Sequence, residues 1–330
     1  MMRRLVALLV LAAGLASCSG GGDRITVYSG RTENLIGPLL ERFAEETGIG
    51  VDVRYGESAD IALLIDEEGE ASPADVFISQ SPGAIEFLED RLQPLPPDVV
   101  SRVDARFRSE AGLWVGLSGR VRVLVYDTEL VDAADLPASI LDLTDPAYAG
   151  RVAVAPTNGS FQDFVTAMHG VHGDETTRAW LEGLVANDVR TYANNTAIVE
   201  AVAGGEVEMG LVNHYYNYQL LAEDPSAPTE NYVFPNGDIG SLLIVTGAGI
   251  VETAPNPELG SRLVDFLLEA EAQTFFSNET FEYPLAAGVE PAIDLPPLDT
   301  LDIPAFDLHG LGGGLEATRE MIEASGLESA

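Results

Sequence analysis

The chain has 330 residues, 53 of them acidic and 17 basic, for a formal charge of −36, and it contains no lysine. So acidic a surface repels phosphates and argues against nucleic acid as a partner, while the length suffices for two domains of ordinary size. A single cysteine, Cys18, excludes an internal disulfide and a thiolate metal cluster.

In chain order the first feature is a leader. Met1-Met2-Arg3-Arg4 is a basic start, and the apolar stretch from Leu5 to Leu15 falls well short of the ~20 residues a membrane-spanning helix needs. Small residues at Leu15-Ala16-Ser17-Cys18 complete the pattern of a secretion signal. This segment resembles a bacterial lipobox, which makes 1–17 the signal peptide, Cys18 the lipidated first mature residue and 18–23 a glycine-rich tether. Loss of Arg3 and Arg4 with the leader takes the charge to −38. The expected location is the outer face of the cytoplasmic membrane, with the lipid as the only membrane contact.

Ile25 to Tyr28 is a β-branched and aromatic run that predicts a first strand, and Asn34 to Glu46 carries Leu35, Leu39 and Phe43 at helical spacing up to Thr47-Gly48. Val51 to Tyr55, Ser58 to Glu67 and Pro73 to Ile78 continue as strand, helix and strand. The β-α-β-α-β order is that of an open, largely parallel sheet, in which ligands bind beyond the carboxyl ends of the strands, at loops 29–33 and 79–82. A second block opens with a strand at Arg120 to Tyr126 and one at Arg151 to Val154, followed by helices at Gln162 to His169, Thr176 to Ala186 and Ala197 to Ala203. Met209 to Val212 is an apolar strand that delivers Asn213-His214-Tyr215-Tyr216 at its end. The chain returns through Leu242 to Val245, a helix from Pro257 to Leu268, and a last helix from Leu315 to Ala324.

Five segments fall in the order of a known family: Ile25 to Arg31, Ser72 to Phe77, Leu117 to Arg122, Pro156-Thr157-Asn158-Gly159-Ser160-Phe161, and Val212 to Tyr216. Together they resemble the ferric-iron-binding proteins of ABC importers, the bacterial transferrin-like group, over nearly the whole mature chain. The resemblance implies an α/β, two-lobed periplasmic-binding-protein-like fold of type II: two mixed sheets flanked by helices, a cleft between the lobes and two crossover strands. The implied division is 24–124 with 246–298 for lobe 1 and 125–245 with 299–330 for lobe 2. It further implies a monomer, with the permease and ATPase of an iron importer as partners and no enzymatic activity.

Ferric iron is a small, hard cation that prefers charged oxygen donors. Tyr215 and Tyr216 are the candidate phenolates, because a bound cation drives off a phenolic proton. Neighbours on a strand point to opposite faces, so both tyrosines reach one ion only where the strand breaks into a turn or a helix start. The family's other ligands are absent: Thr32 stands where a histidine is common, Gln80 where one subgroup has a glutamate, and Phe161 where another has a tyrosine. Glu33 falls where that subgroup carries a further tyrosine and is the candidate carboxylate. A carbonate, phosphate or organic anion would fill the remaining coordination sites. The resemblance assigns it to Arg120, whose fork matches two anion oxygens, with Ser160, Asn195 and Asn213 as hydrogen-bonding partners and Gly159 for close backbone approach.

Two other readings remain open at this point. The same cleft could hold an oxyanion or small organic acid without metal. A secreted hydrolase is disfavoured, because the chain has no G-x-S-x-G elbow, H-E-x-x-H helix, catalytic cysteine or phosphate loop.

Overall fold

The computed structural model describes residues 23–291, 295–304, 306, 311 and 314–329. The leader, Cys18 and the tether as far as Gly22 lie outside these residues. No helix among the described residues is long and apolar enough to cross a membrane.

The strands are β1 (Arg24–Ser29), β2 (Gly50–Tyr55), β3 (Val76–Ser79), β4 (Leu92–Gln93), β5 (Trp114–Asp127), β6 (Val152–Val154), β7 (Arg190–Thr191), β8 (Met209–Asn213), β9 (Thr229–Tyr232), β10 (Leu243–Val251) and β11 (Tyr283–Pro284). The helices are α1 (Glu33–Thr47), α2 (Ser58–Glu68), α3 (Pro82–Phe87), α4 (Pro97–Val100), α5 (Gly159–Ala186), α6 (Asn195–Ala203), α7 (His214–Glu223), α8 (Pro257–Leu267), α9 (Ala270–Asn278) and α10 (Leu315–Ser325). Helix α1 ends where the periodic pattern stops, because Gly48 adopts φ 72° and returns its N–H to the Ala44 carbonyl, a left-handed cap that glycine takes without steric cost. The two helices expected at 162–169 and 176–186 form the single span α5, interrupted by non-helical Gly173.

Strands β2, β1 and β3 pair in parallel, as their alternation with helices dictates. The return strand β10 lies antiparallel to β3 and also to β5, so the sheet is mixed rather than largely parallel. Strand β5 is shared by two sheets, a first with β2, β1, β3, β10, β4 and β11 and a second with β8, β9, β6 and β7, joined through it into one continuous path. Its residues 114–121 pair with β10, whereas 122–127 pair with β8 and β9. Beyond it β8, β6 and β7 run parallel to one another. All fourteen residues of β5 and all nine of β10 are buried, which anchors the junction. Truncating one of their large aliphatic side chains to alanine should cost about 2–5 kcal/mol. Helix α10 packs against α5, where Thr318 and Thr166 hydroxyls meet at 2.7 Å.

Candidate functional site

Strand β8 is buried throughout, and Asn213 at its end takes extended angles (φ −86°, ψ 142°) as the N-cap of α7. His214, Tyr215 and Tyr216 therefore occupy the first turn of a helix. Successive side chains there differ by about 100° rather than pointing oppositely, so two adjacent tyrosines can share a side. Their rings stack with centroids 4.1 Å apart. Tyr215 is 1% exposed, and its hydroxyl has no partner with hydrogen-bond geometry, although the Tyr216 hydroxyl lies near enough to perturb it. Burial first, then Tyr216, pushes the Tyr215 hydroxyl well above the ordinary phenol range. The group stays neutral unless a cation displaces its proton.

Next to the pair, three helices begin together. Asn158 caps α5, its Oδ1 accepting from the Ser160 N–H at 3.2 Å and from the Ser160 hydroxyl at 2.6 Å. Asn195, the first residue of α6, directs Nδ2 to the same Asn158 oxygen (3.4 Å) and to Ser160 Oγ (3.5 Å). Arg122 joins them, its Nη1 donating to Ser160 Oγ and to Asn213 Oδ1, both at 3.3 Å. Nothing within 4 Å of Gly159 would meet an added Cβ. Converging helix N-termini present free N–H groups and positive dipole ends, the combination that receives an anion. Two buried atoms in the group lack partners, Arg122 Nη2 and Asn195 Oδ1. Burial lowers Arg122 to about 10, opposed by Tyr216, Asp163 and Tyr215, so it remains a cation at neutral pH.

Arg120, the arginine expected to hold the anion, makes no hydrogen bond to Ser160, Asn195 or Asn213, although its Nε is buried without a partner and its charge reaches Tyr215. Its Nη1 donates to Thr246 Oγ1 (2.9 Å) and lies 3.7 Å from Glu282, while Nη2 donates to the Gln80 carbonyl. Glu282 also receives Arg31 at 3.0 Å and the Ser118 hydroxyl at 2.6 Å. Burial alone would raise this carboxyl, but Arg31, Arg120 and Ser118 together hold it below the usual carboxylate range. The arginine that touches the Ser160–Asn213 pocket is Arg122, two residues along β5. Alternation places i and i+2 of a strand on one face, a signal that could have marked Arg122 from Arg120.

The other expected residues separate into two groups. Tyr215, Tyr216, Ser160, Gly159, Asn195 and Asn213 come together at the starts of α5, α6 and α7. Glu33 does not join them through any contact. It is exposed at the first turn of α1, where its charge, after burial, helps raise Tyr55. Thr32 is exposed and donates to Asn34. Phe161 is core, packed on Phe164 and Trp180. Among the described residues no three His, Cys, Asp or Glu side chains converge to hold a metal, which leaves the phenols as the site's strongest hard donors.

Sequence reasoning missed Asn158, Arg122 and Asp163. Asp163 sits on α5, 4% exposed, and accepts from Ser81 Oγ at 2.7 Å. Burial raises it to about 6 against the Ser81 hydrogen bond and the charges of Arg120 and Arg122. His214 stacks on Tyr283 and accepts the Val121 N–H at Nδ1 (3.2 Å). Burial lowers it to about 4, outweighing nearby Glu282, so it is neutral.

Residues 71–307 match the model of the bacterial extracellular solute-binding protein family. The chain is 30% identical to the Fe(3+)-binding periplasmic protein of Serratia marcescens, over 97% of this chain and 95% of that one. It superposes on iron-bound HitA from Pseudomonas aeruginosa with a TM-score of 0.87 and 32% identity, covering 92% of this chain and all of the other. A Trichodesmium protein (IdiA, FutA) in complex with iron and citrate matches with a TM-score of 0.79 and 28% identity, covering 92% of this chain and 99% of that one. The fold is thus the α/β two-lobed, periplasmic-binding-protein-like architecture that the sequence predicts, and the chain belongs to the bacterial extracellular solute-binding protein family.

Proposed function

We propose that this protein is the extracytoplasmic solute-binding component of an ABC importer and that its solute is ferric iron, held together with an anion between the lobes. The observation that carries this reading is the stacked Tyr215–Tyr216 pair at the start of α7, the buried Tyr215 hydroxyl having only the Tyr216 hydroxyl near it, beside a pocket of hydrogen-bond donors suited to an anion. Two phenolates supply hard, charged oxygens to the cation, and the anion completes its coordination. Arg122, Ser160, Asn195, Asn213 and the α5 start at Asn158 and Gly159 receive that anion. Names of relatives that bind ferric iron, and one bound to iron and citrate, support the same cargo.

In this reading the protein binds and hands over its solute without transforming it, as a monomer tethered through lipidated Cys18 and docking on a permease and its ATPase. The lobes are 24–124 with 246–298 and 125–245 with 299–330. The change of β5 partners after Val121 and the packing of α10 on α5 support that division.

Ferric iron bound to tyrosinate absorbs visible light by charge transfer. Adding ferric citrate to the purified protein should develop a visible band that Tyr215→Phe and Tyr216→Phe each remove. A second reading, a metal-free oxyanion site, is favoured by the unpartnered donor Arg122 Nη2. Anion binding with no band in the unsubstituted protein would establish that reading instead.

A further inference from the structure

Asp163 takes no part in the pocket above, yet it is buried and its Oδ2 has no partner. Its Oδ1 accepts the Ser81 hydroxyl at 2.7 Å. Ser81 belongs to the loop after β3, in the first sheet, and caps α3; Asp163 lies one turn into the helix that follows β6, in the second sheet. The bond therefore spans the cleft. The packing there is close: a Cβ on Gly83 would stand 3.3 Å from Asp163 Oδ1 and 3.2 Å from the Leu311 carbonyl. On its own side the loop is held by Arg120 through the Gln80 carbonyl. A carboxylate acceptor strengthens a hydroxyl's hydrogen bond, and opening the cleft would exchange this bond for water.

The helix that carries Asp163 is also the one whose start, Asn158 to Ser160, forms the anion pocket. We propose that Asp163 is a positioning residue for solute binding: by holding Ser81 it fixes the α5 pocket against the facing loop and slows escape of the bound solute. This rests on the cleft of the proposed function but not on the identity of its cargo.

The test uses the full chain and the variants Ser81→Ala, Asp163→Ala, the double variant and Ser81→Thr, loaded with ferric citrate and challenged with excess EDTA. Each single alanine should speed dissociation about tenfold with an unchanged association rate. The double variant should be no faster than either single, and Ser81→Thr should restore the slow rate. Small-angle scattering of the ligand-free and ferric citrate-treated proteins supplies a readout independent of iron. The unsubstituted protein should be more compact than both alanine variants. Identical scattering of all proteins, or additive rate effects in the double variant, would overturn the proposal. A scattering difference with no ferric band in the unsubstituted protein would leave the positioning role standing and remove the iron reading.

Discussion

The two walls of the cleft differ in what they offer a solute. On the wall built from the second sheet, α5, α6 and α7 start side by side, and Asn158, Ser160, Asn195, Asn213, Arg122 and the tyrosine pair meet there. On the facing wall, built from the first sheet, Thr32 and Glu33 are exposed, and the Gln80 carbonyl and Ser81 hydroxyl are occupied by Arg120 and Asp163. The phenols and the anion receptors are concentrated on one side, and the other side supplies contacts across the cleft. In the proposed reading the solute's main contacts lie on the tyrosine wall, so that reading needs neither a histidine at Thr32 nor a glutamate at Gln80.

Substitutions on either wall test that asymmetry. The largest expected effect is from the double variant Tyr215→Phe, Tyr216→Phe, which should weaken ferric citrate binding about a hundredfold or more, measured by competition with a chelator. Next is acid stability. His214 falls from its ordinary 6.5 to about 4 in the folded protein, so stability is lost as pH falls from 6.5 through 4, by about 3 kcal/mol at most. Asp163 works in the opposite direction: its folded value is raised from 3.8 to about 6, so its contribution is full below 3.8 and is lost as pH rises through 6. Denaturant titrations between pH 4 and 7 should therefore show a steeper acid loss in Asp163→Asn and a shallower one in His214→Gln. Arg122→Gln should weaken binding about tenfold and abolish its dependence on added anion. Glu33→Gln should change affinity by less than about twofold, as expected of an exposed charge with no partner across the cleft.

The fold was legible wherever local pattern and burial agree. The run β1-α1-β2-α2-β3 follows from alternating apolar strands and amphipathic helices, and the Gly48 cap stands where Thr47-Gly48 stops the pattern. The apolar pattern marks strand β5 only from Arg120, because Ser118 and Gly119 interrupt its run although all of it is buried. The residues of α7 predict no more than a turn or helix start, since His214 to Glu223 has no clear apolar stripe, yet that suffices to allow both tyrosines on one side. What escaped is long-range. A buried arginine reads as a surface residue until the elements that cover it are known. Nothing local to Ser81 or Asp163, 82 residues apart, marks them as partners.

In the proposed function the second-sheet wall holds one ferric ion together with an anion. Native mass spectrometry of protein purified without chelator and loaded with ferric citrate tests it directly. One iron per chain accompanied by one anion is expected, with both lost in the Tyr215→Phe, Tyr216→Phe variant; an anion adduct without iron, unchanged by those substitutions, would contradict the proposed cargo.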